Sequence, residues 1–134
     1  MTYARELIDT YPRGFDVDSD LLATTIDALL ACAQACTTDT DADLHEPNLA
    51  EMVKCIRLCL HCTDVCTATV GVVSRPAEYH RGVTVPLLEA CVEICKLCGD
   101  ECERHAPMHE HCRVCADACR RCEQACRQLL AAAQ

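Results

Sequence analysis

The spacing of the cysteines constrains the fold of this chain more than any other feature. The 134-residue sequence contains 15 cysteines in four runs, and within each run every step is three or four residues. Because an α-helix turns about 100° per residue, such steps keep each run on one helix face. The sequence therefore predicts four helices, each with an inward stripe of thiols. The runs are Cys32 and Cys36; Cys55, Cys59, Cys62 and Cys66; Cys91, Cys95, Cys98 and Cys102; and Cys112, Cys115, Cys119, Cys122 and Cys126.

Capping and helix-breaking residues set the expected helix bounds. Asp18 or Ser19 is a suitable N-cap for the first long helix, and Pro47 suits the first turn of the second. Gly82 and Pro86 should kink the third helix or split off a leading segment. Short connections favour an antiparallel up-down four-helix bundle in an all-α fold. We expect a single domain over residues 1–134, with an arm or short helix in 1–17 and the bundle in 18–134. The predicted helices span 2–11, 19–38, 47–73, 76–104 and 108–132.

Composition narrows the range of partners and compartments. The chain has 21 acidic and 12 basic residues and a net charge of -9, so a nucleic-acid surface is not expected. Uninterrupted apolar runs fall short of the roughly 18 residues of a membrane span. Arg5, Glu6 and Asp9 lie where a signal peptide would be apolar. We therefore expect a cytoplasmic protein with reduced thiols. The sequence shows no nucleophile triad and no phosphate-binding loop, so an enzyme is not expected.

The two ends of the predicted bundle differ in chemistry. At one end, called here the apolar end, the thiol stripes give way to aliphatic residues: Val70, Val73, Leu87, Leu88, Leu129 and Leu130. At the other, called here the open end, the stripes continue into residues that could bind a metal ion: Asp39, Met52, His105 and Met108. His105 extends a stripe and is expected to be a ligand. For Met52 and Met108 the roles of ligand and core filler are equally expected, since thioethers suit both.

The remaining histidines and acidic residues have simpler interpretations. His109 lies close to the open end and is kept as a candidate ligand. The other histidines are expected to be solvent-exposed: His45, His61, His80 and His111. Asp39, Asp41 and Asp43 are most simply a solvated acidic loop.

The thiol array favours a store of many metal ions over one catalytic ion. Soft thiolates select Cu(I), Zn(II) or iron–sulfur clusters. Sulfurs at i and i+4 suit Cu(I), which accepts two or three ligands, whereas structural zinc sites usually take paired cysteines from loops. If each Cu(I) replaces one thiol proton, the capacity is on the order of one ion per cysteine. Two alternatives remain open: sequestration of zinc or another soft metal, and a redox thiol buffer, although in-helix neighbours are poorly directed for disulfides.

The cysteine runs also carry a family resemblance. The segments CAQAC, CIRLCLHCTDVC, CVEICKLCGDEC and CRVCADACRRCEQAC resemble those of bacterial four-helix-bundle copper storage proteins, and the likeness extends from about Asp18 onward. The sequence shows no twin-arginine leader, and in this respect it resembles the cytosolic branch of that family. The resemblance implies many Cu(I) ions held by core cysteines and a homotetrameric assembly.

Overall fold

The fold consists of five helices, and the chain is described here by a computed structural model over residues 2–133. The helices are α1 (Ala4–Asp9), α2 (Ser19–Asp43), α3 (Leu49–Val73), α4 (Arg81–His105) and α5 (Glu110–Ala133). The part of the chain that the structure describes contains no strand. Each long helix packs against two others in the cyclic order α2, α3, α4, α5, and α1 packs on α2. The predicted all-α four-helix bundle with a short leading helix is confirmed.

The first long helix is longer than predicted. Asp18 caps α2 by accepting a hydrogen bond from the Leu21 N–H at 2.9 Å, but the helix ends at Asp43 instead of residue 38. Asp39 and Asp43 continue the spacing of Cys32 and Cys36 and face the core, where they are almost fully buried. The prediction of a solvated loop is therefore wrong for these two residues. Asp41 is exposed as expected.

The last two helices begin later than predicted. Residues 76–80 lie outside any helix, with a turn at 76–77, and His80 is the extended residue that precedes α4. The helix then runs continuously through Pro86, whose missing N–H removes only one hydrogen bond near the helix start. Residues 106–109 form the turn before α5, so Met108 lies outside that helix.

An aliphatic cluster fills the apolar end of the bundle. Its fully or almost fully buried members come from all four long helices: Leu22, Leu29, Val73, Leu88 and Leu129. Ala4 and Ile8 of α1 join the same core, while Val70 and Leu130 are only partly buried against it. Each large buried side chain contributes roughly 1.5–3 kcal/mol to the hydrophobic stabilisation. The predicted apolar closure of this end is present.

Two helices have a composition that also occurs in membrane proteins. By length and hydropathy alone, α2 and α3 could each cross a bilayer. Both carry thiol stripes that face the bundle core, and cysteine raises the hydropathy of a helix. Core helices pass the same test, so this property is weak evidence for a membrane location.

Candidate metal centre

The fifteen cysteines form one continuous array along the bundle axis. All are free thiols and all are buried. Sulfurs from neighbouring helices approach to 3.7 Å for Cys32 and Cys62 and to 3.6 Å for Cys59 and Cys98. At the apolar end, the Sγ atoms of Cys126 and Cys91 are 3.7 Å apart. The predicted inward direction of all four thiol stripes is confirmed.

The sulfurs are arranged in overlapping groups of four. In each group the ligand atoms all lie within 4.8 Å of one another. Separations of about 3.8 Å are those of four sulfurs at 2.3 Å from one ion, so distances alone do not choose between zinc and copper. Because the groups share members, adjacent ions would share thiolates, which is typical of a polynuclear site. Four all-sulfur examples are Cys32, Cys66, Cys95 and Cys122; Cys32, Cys36, Cys62 and Cys119; Cys36, Cys98, Cys115 and Cys119; and Cys59, Cys98, Cys102 and Cys115.

The environment of the array favours neutral thiols before metal binds. Contact with Cys122 and Cys91, together with burial, raises the pKa of Cys126. A second thiolate beside a first is repelled, and a dry core gives little solvation to either. An arriving cation must therefore displace protons from sulfur.

Two buried carboxylates extend the array at the open end. Asp39 is 2% exposed and Asp43 is fully buried. Asp39 Oδ2 accepts S–H contacts from Cys59 at 3.6 Å and from Cys102 at 3.8 Å. Asp43 Oδ1 accepts from Cys112 at 3.5 Å. The open end therefore combines oxygen and sulfur ligands.

Burial governs the protonation of both carboxylates. It raises the pKa of Asp39 to about 6, although a hydrogen bond from His111 acts in the opposite direction. Burial, followed by the nearby charges of Cys55 and Asp39, raises the pKa of Asp43 to about 8. The buried Oδ2 of Asp43 has no hydrogen-bond partner among the described residues.

His111 is a site residue that the sequence analysis placed in solvent. Its Nδ1 lies 2.6 Å from Asp39 Oδ1, and its Nε2 lies 2.9 Å from Glu46 Oε2. Partial burial disfavours the charged ring, but the hydrogen bonds that the ring donates to Glu46 and Asp39 outweigh this effect and raise the pKa of His111. In the sequence His111 directly precedes Cys112 at the start of α5. The helical spacing of three or four residues does not connect adjacent residues, so it gives no indication that His111 belongs to the site.

The structure brings together three of the four other candidates at the open end. Met52 is fully buried in the first turn of α3. The His105 side chain is 15% exposed, and its Nε2 lies 2.9 Å from Glu101 Oε2. The His109 side chain is 10% exposed, and its Nδ1 lies 2.7 Å from Glu46 Oε2. The rings of His105 and His109 are 6.5 Å apart between centroids.

Met108 does not join this group. Its side chain is 77% exposed, because the turn at 106–109 breaks the helical register that would have aligned it with Cys112. Its predicted convergence with Met52 and His105 is wrong. His45, His61 and His80 are exposed, as expected.

Comparison with protein families gives a match over most of the chain. The family model described as copper storage protein matches residues 18–131. An uncharacterized cysteine-rich protein of Bacillus subtilis (strain 168), YhjQ, is 32% identical over 106 residues, which cover 79% of this chain and 93% of that protein.

Solved structures of copper-loaded proteins are similar to this fold. The copper storage protein Ccsp from Streptomyces lividans, loaded with 10 copper equivalents, is 54% identical with a TM-score of 0.92, over 96% of this chain and 98% of that one. A five-copper structure, described as a cytosolic copper storage protein from Streptomyces lividans, is 57% identical with a TM-score of 0.81, over 84% and 93%. The Cu(I)-bound copper storage protein BsCsp3 is 31% identical with a TM-score of 0.70, over 79% and 94%.

Proposed function

We infer that this chain, which belongs to the copper storage protein family, has the function of storing copper. The observation that carries this conclusion is the unbroken array of fifteen buried, free thiols. A single structural or catalytic ion needs at most four of them. The family is one of storage proteins, which implies a role other than catalysis.

We propose that every one of the fifteen core cysteines is a Cu(I) ligand. The overlapping four-sulfur groups allow one thiolate to bridge two ions, and Cu(I) is the soft cation that thiolates select. Each Cu(I) that binds replaces one thiol proton, so the charge of the core does not change as it fills. Charge neutrality supports a high capacity, because a dry core does not tolerate many bare charges.

We propose that copper enters at the open end. The apolar end offers no ligand in its cluster of Leu22, Leu29, Val73, Leu88 and Leu129. Thioether and imidazole groups at the open end come from Met52, His105 and His109, with His111 beside them. These ligands can pass an ion to Cys55, Cys102 and Cys112, the cysteines nearest this end.

Two further properties are proposals that the likeness supports. A cytoplasmic location follows from the similar protein described as cytosolic, and a homotetramer follows from the family resemblance. Exposed Leu30, Leu60 and Leu97 provide outward apolar surface for association. We expect one domain with copper as its partner and neither nucleic acid nor membrane. Light scattering of the reduced protein should give four times the chain mass of 14.7 kDa; a monomer mass would contradict the tetramer.

Competition with a strong chromophoric Cu(I) chelator tests the proposed function. The reduced protein should withdraw on the order of one Cu(I) per thiol, or roughly fifteen ions. A Cys62→Ser, Cys119→Ser variant should bind fewer ions, whereas His61→Ala, which changes an exposed side chain off the stripe, should not. A plateau at one or two ions, or equal retention of Zn(II), would contradict storage of Cu(I).

A further inference from the structure

Helix α3 carries a second stripe of mainly apolar residues besides its thiol stripe. This outer stripe consists of Leu49, Val53, Ile56, Leu60 and Thr63, in alternating steps of four and three residues, which is the spacing of a coiled-coil seam. At about 100° per residue it lies roughly 110° around the helix from the thiols. Leu49, Val53 and Leu60 are 43–50% exposed. The outer stripe is therefore an apolar helix face that this chain itself does not cover.

The neighbouring helices enlarge this apolar surface. Helix α2 packs against α3, and the Oγ1 atoms of Thr37 and Thr63 are 3.3 Å apart at the edge of the outer stripe. Leu30 of α2 and Leu44 at its end are exposed. Leu7 of α1 is also exposed and lines a surface cleft together with Leu30. A contiguous apolar surface of this kind typically marks a contact with another protein.

The opposite side of the bundle, formed by α4 and α5, is covered by ion pairs. Arg120 of α5 reaches Asp100 at 2.6 Å and Glu103 at 2.8 Å on α4, and Arg121 lies 3.0 Å from Asp117. Charged groups of this kind are costly to remove from water. Each chain has a net charge of -9, so two copies repel one another in general. A face whose central stripe has no charged residue is where two copies can meet most easily.

Two opposite charges flank the outer stripe on the same side. Arg57 and Asp64 are exposed, and they lie three residues before and four residues after Leu60. Among the described residues, α3 makes its one ion pair through Lys54, 3.9 Å from Glu101. Residues seven apart are separated by about 10 Å along a helix, so Arg57 and Asp64 cannot pair with each other. A second copy of the same helix offers each of them the opposite charge.

We propose that the outer stripe is a two-fold contact between two copies of this chain, with the two α3 helices packed antiparallel about Leu60. Under a two-fold axis the same patch serves both partners. Arg57 of each copy then faces Asp64 of the other, which gives two ion pairs, and the Leu60 side chains pack together at the centre. This inference rests on the proposed homotetramer, for which it supplies one of the interfaces.

Charge reversal in the full-length, reduced protein tests the proposal. Arg57→Glu should weaken association by on the order of tenfold or more, because two attractive pairs become two pairs of like charge. Adding Asp64→Arg to this variant restores the opposite charges and should return association to near the wild-type value. Sedimentation equilibrium at low ionic strength, where surface charges are least screened, measures the dissociation constants.

Arg121→Glu is the matched control, because it changes the net charge equally on α5, which lies diagonally across the bundle from α3. It should associate like the wild-type protein. Leu60→Glu places two like charges at the two-fold axis and should cause the largest loss. Equal association of the wild-type protein, Arg57→Glu and Leu60→Glu would overturn the proposal. An equal loss in Arg121→Glu, or no recovery on adding Asp64→Arg, would overturn it as well.

The same variants keep this proposal distinct from copper storage. The outer stripe faces away from the thiols, so the Cu(I) capacity of Arg57→Glu and Leu60→Glu should equal that of the wild-type protein. A monomeric wild-type protein would contradict the homotetramer and this contact together. A wild-type assembly that none of the α3 variants weakens would contradict this contact alone.

Discussion

The two ends of the bundle bury different chemistry within the same four helices. At the apolar end, Leu22 and Leu129 lie in an aliphatic core that is almost fully shielded from solvent. At the open end, Asp39 and Asp43 occupy equivalent inward positions on α2. Burial of aliphatic groups stabilises the fold, whereas burial of carboxylates opposes it unless a cation or proton neutralises them. The difference teaches that the stabilising aliphatic core lies at one end, and it supports the proposal that metal ions enter at the other.

Truncation of the aliphatic cluster should have the largest effect on stability. We expect Leu129→Ala to lower the free energy of unfolding of the metal-free protein by about 2–5 kcal/mol, because it leaves a cavity in a packed core. Urea unfolding followed by circular dichroism measures this change. The Cu(I) capacity of the folded variant should be retained; a large loss of capacity would show that the two ends are not separable.

The open end should make stability depend on pH. Folding raises the pKa of Asp43 from 3.8 to about 8, so the folded state holds a proton that the unfolded state releases. The free energy of unfolding should therefore fall as the pH rises from about 4 to about 8. The raised pKa of His111 acts in the same direction. The protonated ring stabilises the folded state at pH values below the pKa of the unfolded chain, and this stabilisation is lost as the pH rises through the pKa of the folded state.

Asp43→Asn isolates the contribution of this carboxylate. The variant should be more stable than the wild-type protein at about pH 8, by on the order of 1–3 kcal/mol, and should show a flatter pH dependence. Asp41→Asn, on the exposed side of α2, is the control and should follow the wild-type profile. A wild-type stability that rises over this pH range would contradict the burial of a protonated Asp43.

Removal of the open-end ligands should affect rates more than capacity. We expect Met52→Leu, His105→Ala and His109→Ala together to slow Cu(I) uptake by on the order of tenfold, because the ion loses its route to the first sulfurs. Stopped-flow absorbance of the sulfur-to-copper transition measures uptake. Unchanged rates would place the entrance elsewhere, and a large fall in capacity would make these residues storage ligands.

The smallest expected effect is that of Met108→Leu. Its side chain is 77% exposed, so the free energy of unfolding should change by less than about 0.5 kcal/mol. The uptake rate should also equal that of the wild-type protein in the same stopped-flow experiment. A marked slowing would mean that an exposed thioether captures copper before it reaches Met52.

The helical period made most of the fold predictable, and also the inward direction of all fifteen cysteines, because inward positions recur every three or four residues. The same rule applied to Asp39 and Asp43 indicates a core position, but acidic residues are rarely buried without partners. Their partner His111 lies on α5, 72 residues beyond Asp39, and no local pattern reports such a pairing. Met108 shows the opposite error: its spacing from Cys112 fits a helix, but a turn separates the two.

The central claim is that copper is held on sulfur along the whole interior of the bundle. Anomalous diffraction at the copper absorption edge, from crystals of fully Cu(I)-loaded protein, tests it most directly. We expect a chain of copper peaks bonded to core sulfurs from Cys112 at the open end to Cys126 beside the apolar cluster, with none inside that cluster. Copper confined to exposed histidines, or one or two isolated ions in the core, would contradict the account.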